Sequence, residues 1–361
     1  MRILIPILGF GRTGGYRVLS RLASEWKAVG HEVAFVAPCR GDAPYHPTTA
    51  STIWLDDRGH STERSELSPR GGITGVARDL YALWAGLNRY GTDADLVVAN
   101  HSLTAWPVAF ARLRGAKAYY VQAYEPEYFT AKGIGPRALM LWALAVGSYW
   151  LSLRRVANSP LYHRYKFLRA AASVPPGIDF GVFSPAGDAR PREGSLTLGC
   201  IGRAEPDKGT RYALNAYREL LARGRDVQMR VAYGGVGDDE RRLDGLTVTV
   251  PENDRALGDY YRSLDVLIAP GLVQHGAPHY PVMEAMACGV PVVTTGYLPA
   301  TPSNARIVPV RDALAIADAV DAIADDRNDA RHRARLGIEA TRQFHWPVVA
   351  DALLRAFAVT G

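Results

Sequence analysis

The chain has 361 residues, 48% of them apolar and 22% charged, with a net charge of +6 and an isoelectric point near 9.2. That length suits two domains rather than one, and that composition excludes a disordered or fibrous chain. The cations are dispersed, so they admit an anionic ligand or an anionic membrane face and give no ground for a nucleic-acid partner.

The opening MRILIPILGF reads as a strand, Ile3–Leu8, running into a glycine loop rather than as a secretory leader. A cytoplasmic chain is the expectation, at most peripheral at the inner face of a membrane. Tyr16–Val29 carries Val18, Leu19, Leu22, Ala23 and Trp26 at helical spacing, and Glu32–Ala37 is the second strand. Asp56–Gly72 is long and polar and is expected to be a mobile loop. A helix over Val76–Tyr90 and strands at Leu96–Ala99 and Ala118–Gln122 follow. Ala138–Leu153 is apolar between Arg137 and the pair Arg154–Arg155, yet too short and interrupted to span a bilayer. A buried helix is the first reading of it and a membrane-surface contact the second.

Residues 184–195 form a linker rich in Gly, Pro, Arg and Asp. It separates a first domain, 1–183, from a second, 196–343, in which the alternation restarts. Strands are expected at Leu196–Ile201, Val227–Ala232, Leu246–Val250, Val266–Ala269 and Val290–Thr294, with helices at Thr210–Arg223 and Ala313–Ala324. A last helix lies in 344–361 and is expected to pack back on the first domain. Alternating strands and helices predict an α/β fold of two Rossmann-like domains with parallel sheets facing across a cleft.

Three places carry chemistry. Gly9-x-Gly11-x-x-Gly14, with Gly15 beside it, lies between a strand and a helix, where a phosphate is commonly held. A dinucleotide site also wants an acid at the end of the second strand, and Pro38, Cys39 and Arg40 stand there instead. An NADP-dependent reductase, with Arg40 at a 2′-phosphate, is therefore the weaker alternative. Second, Arg203 and Lys208 bracket the loop after Leu196–Ile201, where two cations suit a diphosphate that gains charge as it leaves. Third, Pro281 opens a short helix closed by Gly289, which puts Glu284 in or near its first turn, able to accept hydrogen bonds from sugar hydroxyls.

Metal readings are poor. Gly276 and Pro278 separate His275 from His279, and Asp93-Ala94-Asp95 precedes its strand, at the end opposite to ligands. Cys39, Cys200 and Cys288 are isolated and read as small buried residues.

Together these residues resemble the retaining glycosyltransferases of family 4, which have the GT-B fold. The resemblance runs through Gly14-Gly15, Gly30-His31-Glu32-Val33, Val174-Pro175-Pro176-Gly177-Ile178-Asp179 with Phe183, Gly202-Arg203 with Lys208-Gly209, the run from Pro281 to Val293, and Phe344-His345-Trp346. Gln122–Phe129 and Thr294–Pro299 look like a subgroup that includes bacterial rhamnosyltransferases. The resemblance implies that Arg203 and Lys208 act on the donor diphosphate, that Glu284 holds the nucleotide ribose, and that Gly14 and Gly15 lie by the diphosphate. After the strand Leu96–Ala99, either His101 or its neighbour Asn100 matches a histidine that meets the donor sugar in the family. A second glutamate usual in the family is replaced by Gly276, and the loop to His279 and Tyr280 lacks the usual glycine-phenylalanine-glycine run. A changed donor, a deoxysugar such as dTDP-rhamnose, follows as an expectation, with a non-catalytic sugar-nucleotide-binding protein as the rival. Tyr124 and Glu125 are candidates on the acceptor side. The expected partners are a nucleotide sugar and a glycan, lipid-linked or small-molecule acceptor, with no metal or other cofactor.

Overall fold

The computed structural model describes residues 1–68, 71–130, 135–186, 194–273 and 275–358. It divides into two compact units, Met1–Gly177 with Trp346–Gly361, and Ile178–His345.

The first unit is built on eight strands, β1 (Arg2–Pro6), β2 (Glu32–Pro38), β3 (Ser51–Leu55), β4 (Ser61–Thr62), β5 (Leu96–Ala99), β6 (Ala116–Val121), β7 (Arg154–Ala157) and β8 (Ala172–Ser173). Their order is β4-β3-β2-β1-β5-β6-β7-β8, parallel throughout except for the β3–β4 hairpin. The order reverses between β1 and β5, so the loops after those strands open at one point of the sheet edge, where such folds hold ligands. The helices are α1 (Gly14–Ala28), α2 (Gly72–Tyr90), α3 (Ser102–Phe110), α4 (Pro126–Thr130) and α5 (Pro136–Ser148). Ile3 and Ile5 of β1 face one apolar cluster with Val18, Leu22 and Trp26 of α1, and Leu4 faces another with Leu83 and Leu87 of α2. A strand buried on both faces reads as a continuous apolar run, as RILIP does.

Two expectations change here. The polar stretch after β3 holds a hairpin, because Asp56 Oδ1 accepts from the N–H groups of Arg58 (2.9 Å) and His60 (2.8 Å) and turns the chain back into β4. Residues 69–70 of that stretch lie outside the described residues. The apolar helix α5 leaves six of its thirteen residues exposed, with Ala145 and Ser148 as its buried residues, so it is no core helix.

The second unit carries a six-stranded parallel sheet of β9 (Leu196–Ile201), β10 (Val227–Ala232), β11 (Leu246–Thr249), β12 (Val266–Ala269), β13 (Val292–Thr294) and β14 (Arg306–Ile307). Its order is β11-β10-β9-β12-β13-β14, so the reversal falls between β9 and β12. The helices are α6 (Thr210–Ala222), α7 (Asp254–Arg262), α8 (Tyr280–Ala287), α9 (Ala313–Asp325) and α10 (Arg327–Thr341). Ile178 and Phe183 sit in this unit's core with Tyr261 and Met283, which moves the boundary from 183 to 177. Of the linker expected at 184–195, residues 187–193 lie outside the described residues.

The last helix, α11 (Trp346–Ala358), belongs to the first unit. Trp346, Val349, Ala350, Leu353 and Phe357 join the α1 cluster, and Trp26 Nε1 donates to the Ala350 carbonyl at 2.9 Å.

Candidate active site

In the second unit the sheet reversal brings the loops after β9 and β12 together. Gly202 follows β9 where a Cβ would stand 1.7 Å from the Gly234 carbonyl oxygen. Gly209, at φ +75°, has room for no side chain either, with the Pro270 carbonyl 2.0 Å from the position of its Cβ. These close approaches press the loop 202–209 against the loops after β10 and β12, which explains the glycines better than flexibility does. Thr210 closes the loop: its hydroxyl accepts from the Arg203 N–H at 2.9 Å and donates to the Arg203 carbonyl at 3.0 Å.

The two cations are held differently. The Arg203 guanidinium lies 5.7 Å from the centre of the Tyr233 ring. Lys208 Nζ is 3.5 Å from Asp207 Oδ2, and both side chains are about two-fifths exposed. Such a pair contributes less than about 1 kcal/mol, so the ammonium is readily recruited by a stronger anion.

His279 joins them at the N-cap of α8. Its ring stacks on Tyr297, centroids 4.3 Å apart, and its Nδ1 is shielded from solvent with no hydrogen-bond partner among the described residues. Burial, followed by the positive fields of Lys208 and Arg203, pushes its pKa down to about 3. The imidazole is therefore neutral at physiological pH, beside two charges that keep it so. A folded-state pKa below the ordinary value means that the unfolded chain takes up the proton first. Stability is intact above about pH 6.5 and declines as pH falls toward about 3. Replacing His279 by Gln is expected to flatten that decline in urea titrations run at successive pH values. An anion bound between Arg203 and Lys208 cancels part of their field, so the imidazole pKa should rise on saturation with a diphosphate, as read by NMR. An unchanged pKa would separate His279 from the anion site.

Glu284 lies just past the first turn of α8, near it as expected. The helix starts at Tyr280, which makes Glu284 its fifth residue, 3% exposed, with Oε2 accepting from Tyr261 Oη at 3.0 Å. The Tyr261 hydroxyl is correspondingly held protonated, by burial first and then by the Glu284 charge. Gly289, at φ +77°, ends the helix as expected.

The loop before α8 is strapped to the chain after β13. Gly276 N–H donates to the Gly296 carbonyl at 2.8 Å, Leu298 N–H to the Ala277 carbonyl at 3.0 Å, Thr295 Oγ1 to the Gly271 carbonyl at 2.6 Å and Tyr297 Oη to the Val273 carbonyl at 2.6 Å. Gly276 sits at φ +80° with nothing within 4 Å of a would-be Cβ. The position is open but left-handed, so the loop has its own backbone path rather than a trimmed side chain. Tyr280 packs against the apolar cluster beneath α8. His275 Nε2 is 3.1 Å from the Gly271 carbonyl.

In the first unit, the glycine loop serves packing at one end and stays open at the other. Gly9 passes Gly41 so closely that a Cβ on Gly41 would be 3.0 Å from the Gly9 Cα, and Gly11 lies under the Tyr16 ring. The N-terminus of α1 is open. Thr13 caps it without a side-chain hydrogen bond, no acid occupies its first turn, and a Cβ on Gly14 would meet nothing within 4 Å. Gly15 lies against the Gln122 side chain.

His101 and Glu125, separate candidates in the sequence, form one pair because β5 and β6 are neighbours. His101 caps α3, its Nδ1 accepting from Leu103 N–H at 3.1 Å, which assigns the ring proton to Nε2, 3.2 Å from Glu125 Oε2. The buried Glu125 carboxylate also accepts from Ser102 N–H at 2.9 and 3.0 Å, from Ser102 Oγ and from Tyr119 Oη at 3.3 Å. It anchors the start of α3, where a negative charge is favoured. Tyr124 stacks on Tyr165 with centroids 3.8 Å apart. Asp95, discounted as a metal ligand, accepts the Arg2 N–H at 2.6 Å. Thr210, Tyr261 and Tyr297 were not foreseen in the sequence.

Residues 195–326 match the family described as glycosyl transferases group 1. A phosphatidyl-myo-inositol mannosyltransferase of Mycolicibacterium smegmatis is 32% identical over 222 residues, 56% of this chain and 56% of that protein. The protein of the same name from Mycobacterium leprae is 28% identical over 368 residues, 93% of this chain and 90% of its own length. The chain thus spans little more than half of the first relative and most of the second. Among solved structures, that of Anabaena HepE in complex with UDP superposes with a TM-score of 0.70 at 14% identity, over 98% of this chain and 99% of that one. The fold is therefore that of the GT-B glycosyltransferases, two Rossmann-like domains on parallel sheets.

Proposed function

We propose that this chain is a glycosyltransferase of group 1 and that it moves a sugar from a nucleotide-diphosphate donor to an acceptor hydroxyl with retention of configuration. The observation that carries the reading is the gathering of Arg203, Lys208 and a neutral His279 at the N-terminus of α8, at the reversal of a parallel sheet. Arg203 and Lys208 offset the charge that grows on the diphosphate as the glycosidic bond breaks, and the helix terminus adds to them. Glu284 accepts from the ribose hydroxyls while Tyr261 fixes its carboxylate. The departing phosphate oxygen takes the acceptor proton on the same face, so the proposed reaction needs no metal or other cofactor. Glu125 is committed to the start of α3, which makes it a positioning residue for His101 rather than a base.

Two donors compete. The glycine in place of the family's glutamate at Gly276 supports a deoxysugar such as dTDP-rhamnose. The names of the mycobacterial relatives support a mannosyl donor and an inositol-bearing lipid acceptor. Acceptors in either case are glycans, lipid-linked molecules or small molecules, and contact with a membrane surface belongs to this reading. Among the described residues no helix is long and apolar enough to cross a membrane. The reductase is not favoured: the loop at Gly9 is filled by Gly41, and β2 ends without an acid.

Calorimetric titration of the whole chain with GDP-mannose, UDP-glucose, dTDP-rhamnose and NADPH tests this. One nucleotide sugar is expected to bind at one site and NADPH not at all. Binding of NADPH with none of the sugars would end the transferase reading. A sugar that binds with neither transfer nor hydrolysis would favour the non-catalytic rival.

A further inference from the structure

We propose that the surface formed by α5 and the ends of α2 and α3 is a docking face for anionic phospholipid. This deepens the membrane contact above by naming the face and the lipid charge, and it does not depend on the transfer chemistry.

A surface helix ordinarily turns its polar side outward. The inward stripe of α5 is Leu141, Ala145 and Ser148, and its outward side carries Leu139, Met140, Trp142 and Ala143. Leu139 is 55% exposed and Trp142 39%. Trp150, just past the helix, is 75% exposed. The apolar surface continues onto α3, whose Trp106 Nε1 donates to the Leu144 carbonyl at 3.2 Å and whose Phe110, 64% exposed, stacks with Trp106. It reaches α2, where Trp84 Nε1 donates to the Phe110 carbonyl at 3.3 Å. Three helices thus present aromatic and aliphatic groups side by side, a larger exposed patch than a lone surface leucine.

Charge decides the occupant. Residues 128–178 contain no Asp or Glu and seven Lys or Arg, in a chain that has 36 acids among 361 residues. Arg137 stands exposed at the start of α5, and Arg112 and Arg114 stand exposed just past Phe110. Tryptophan and leucine rimmed by arginines match the boundary of an anionic bilayer, where the rings enter the headgroup layer and the cations meet phosphate. A nucleic acid would use the cations and leave the aliphatic side of α5 in water. A second copy of this chain would bring the same positive charge against itself.

Flotation of the full chain with vesicles of phosphatidylcholine, alone or with added phosphatidylglycerol, tests this. The chain is expected to float with the anionic vesicles, to do so less at high salt, and to stay in solution with phosphatidylcholine alone. The double variant Leu139→Gln/Trp142→Gln should lower the partition coefficient more than about tenfold. Arg137→Gln should lower it about fivefold, as for one cation at such a surface. Leu314→Gln, exposed on the second unit, should leave it unchanged, and all variants should share the parent's unfolding midpoint. Equal binding to both vesicle types, or no binding to either, would overturn the proposal. So would a dimer of the parent chain that the double variant converts to a monomer. Failure of vesicle binding in a chain that still transfers sugar in solution would count against this face alone.

Discussion

Lys208→Ala should lower turnover by about two to three orders of magnitude while leaving the fold intact, the size expected when one preorganised group facing developing charge is removed. The fold survives because the side chain is two-fifths exposed and its pair with Asp207 contributes little. Activity suffers because the ammonium acts on charge that grows during bond breaking, so kcat should fall more than KM rises. Lys208→Arg keeps the charge and should recover part of the rate. Steady-state kinetics of the three proteins, with unfolding curves beside them, read this directly. Turnover within about threefold of the parent would remove Lys208 from the mechanism.

Gly202→Ala should cost about 3 kcal/mol or more of stability. The new methyl would meet the Gly234 carbonyl oxygen at 1.7 Å and Val231 Cγ1 at 2.5 Å. Neither the glycine nor its neighbour can yield cheaply, since Gly202 N–H is bonded to the Ala232 carbonyl at 2.8 Å within the sheet. Whatever shift relieves the clash also moves Arg203, the next residue. Urea unfolding should show the loss of stability, and diphosphate binding should weaken with it. A variant as stable as the parent, still binding, would mean that the loops after β9 and β10 do not meet as described.

The central strands were legible because they run as continuous apolar segments between glycine and polar breaks, whereas β3, β4, β7, β8 and β14 were not foreseen. RILIP, LTLGCI and VLIA announce themselves by composition. Helix α1 did so through its period, and α10 did not. The buried positions of α10 are Ala330, Ala334, Gly337 and Thr341, a stripe of small residues that hydrophobic spacing passes over. Helix α3 is apolar around its circumference and carries Pro107, which hides it from the same test. Exposure of α5 was illegible in principle: an apolar segment tells that it avoids water, not whether the protein itself supplies the cover.

At the site, residue types were readable and pairings were not. Arg203 and Lys208 stood out as cations after a strand, yet nothing local showed that His279, more than seventy positions on, lies in their field. His101 and Glu125 meet only because parallel β5 and β6 are adjacent. Glu284 finds Tyr261 from another helix, and the start of α8 one residue before its proline set the carboxylate one residue deeper than the motif suggests.

A crystal structure of the chain with a nucleoside diphosphate bound tests the central claim most directly. The account predicts both phosphates against the N-terminus of α8, with the Arg203 guanidinium and the Lys208 ammonium in hydrogen-bond contact with their oxygens. A diphosphate seated elsewhere, with those two side chains turned to solvent, would contradict it.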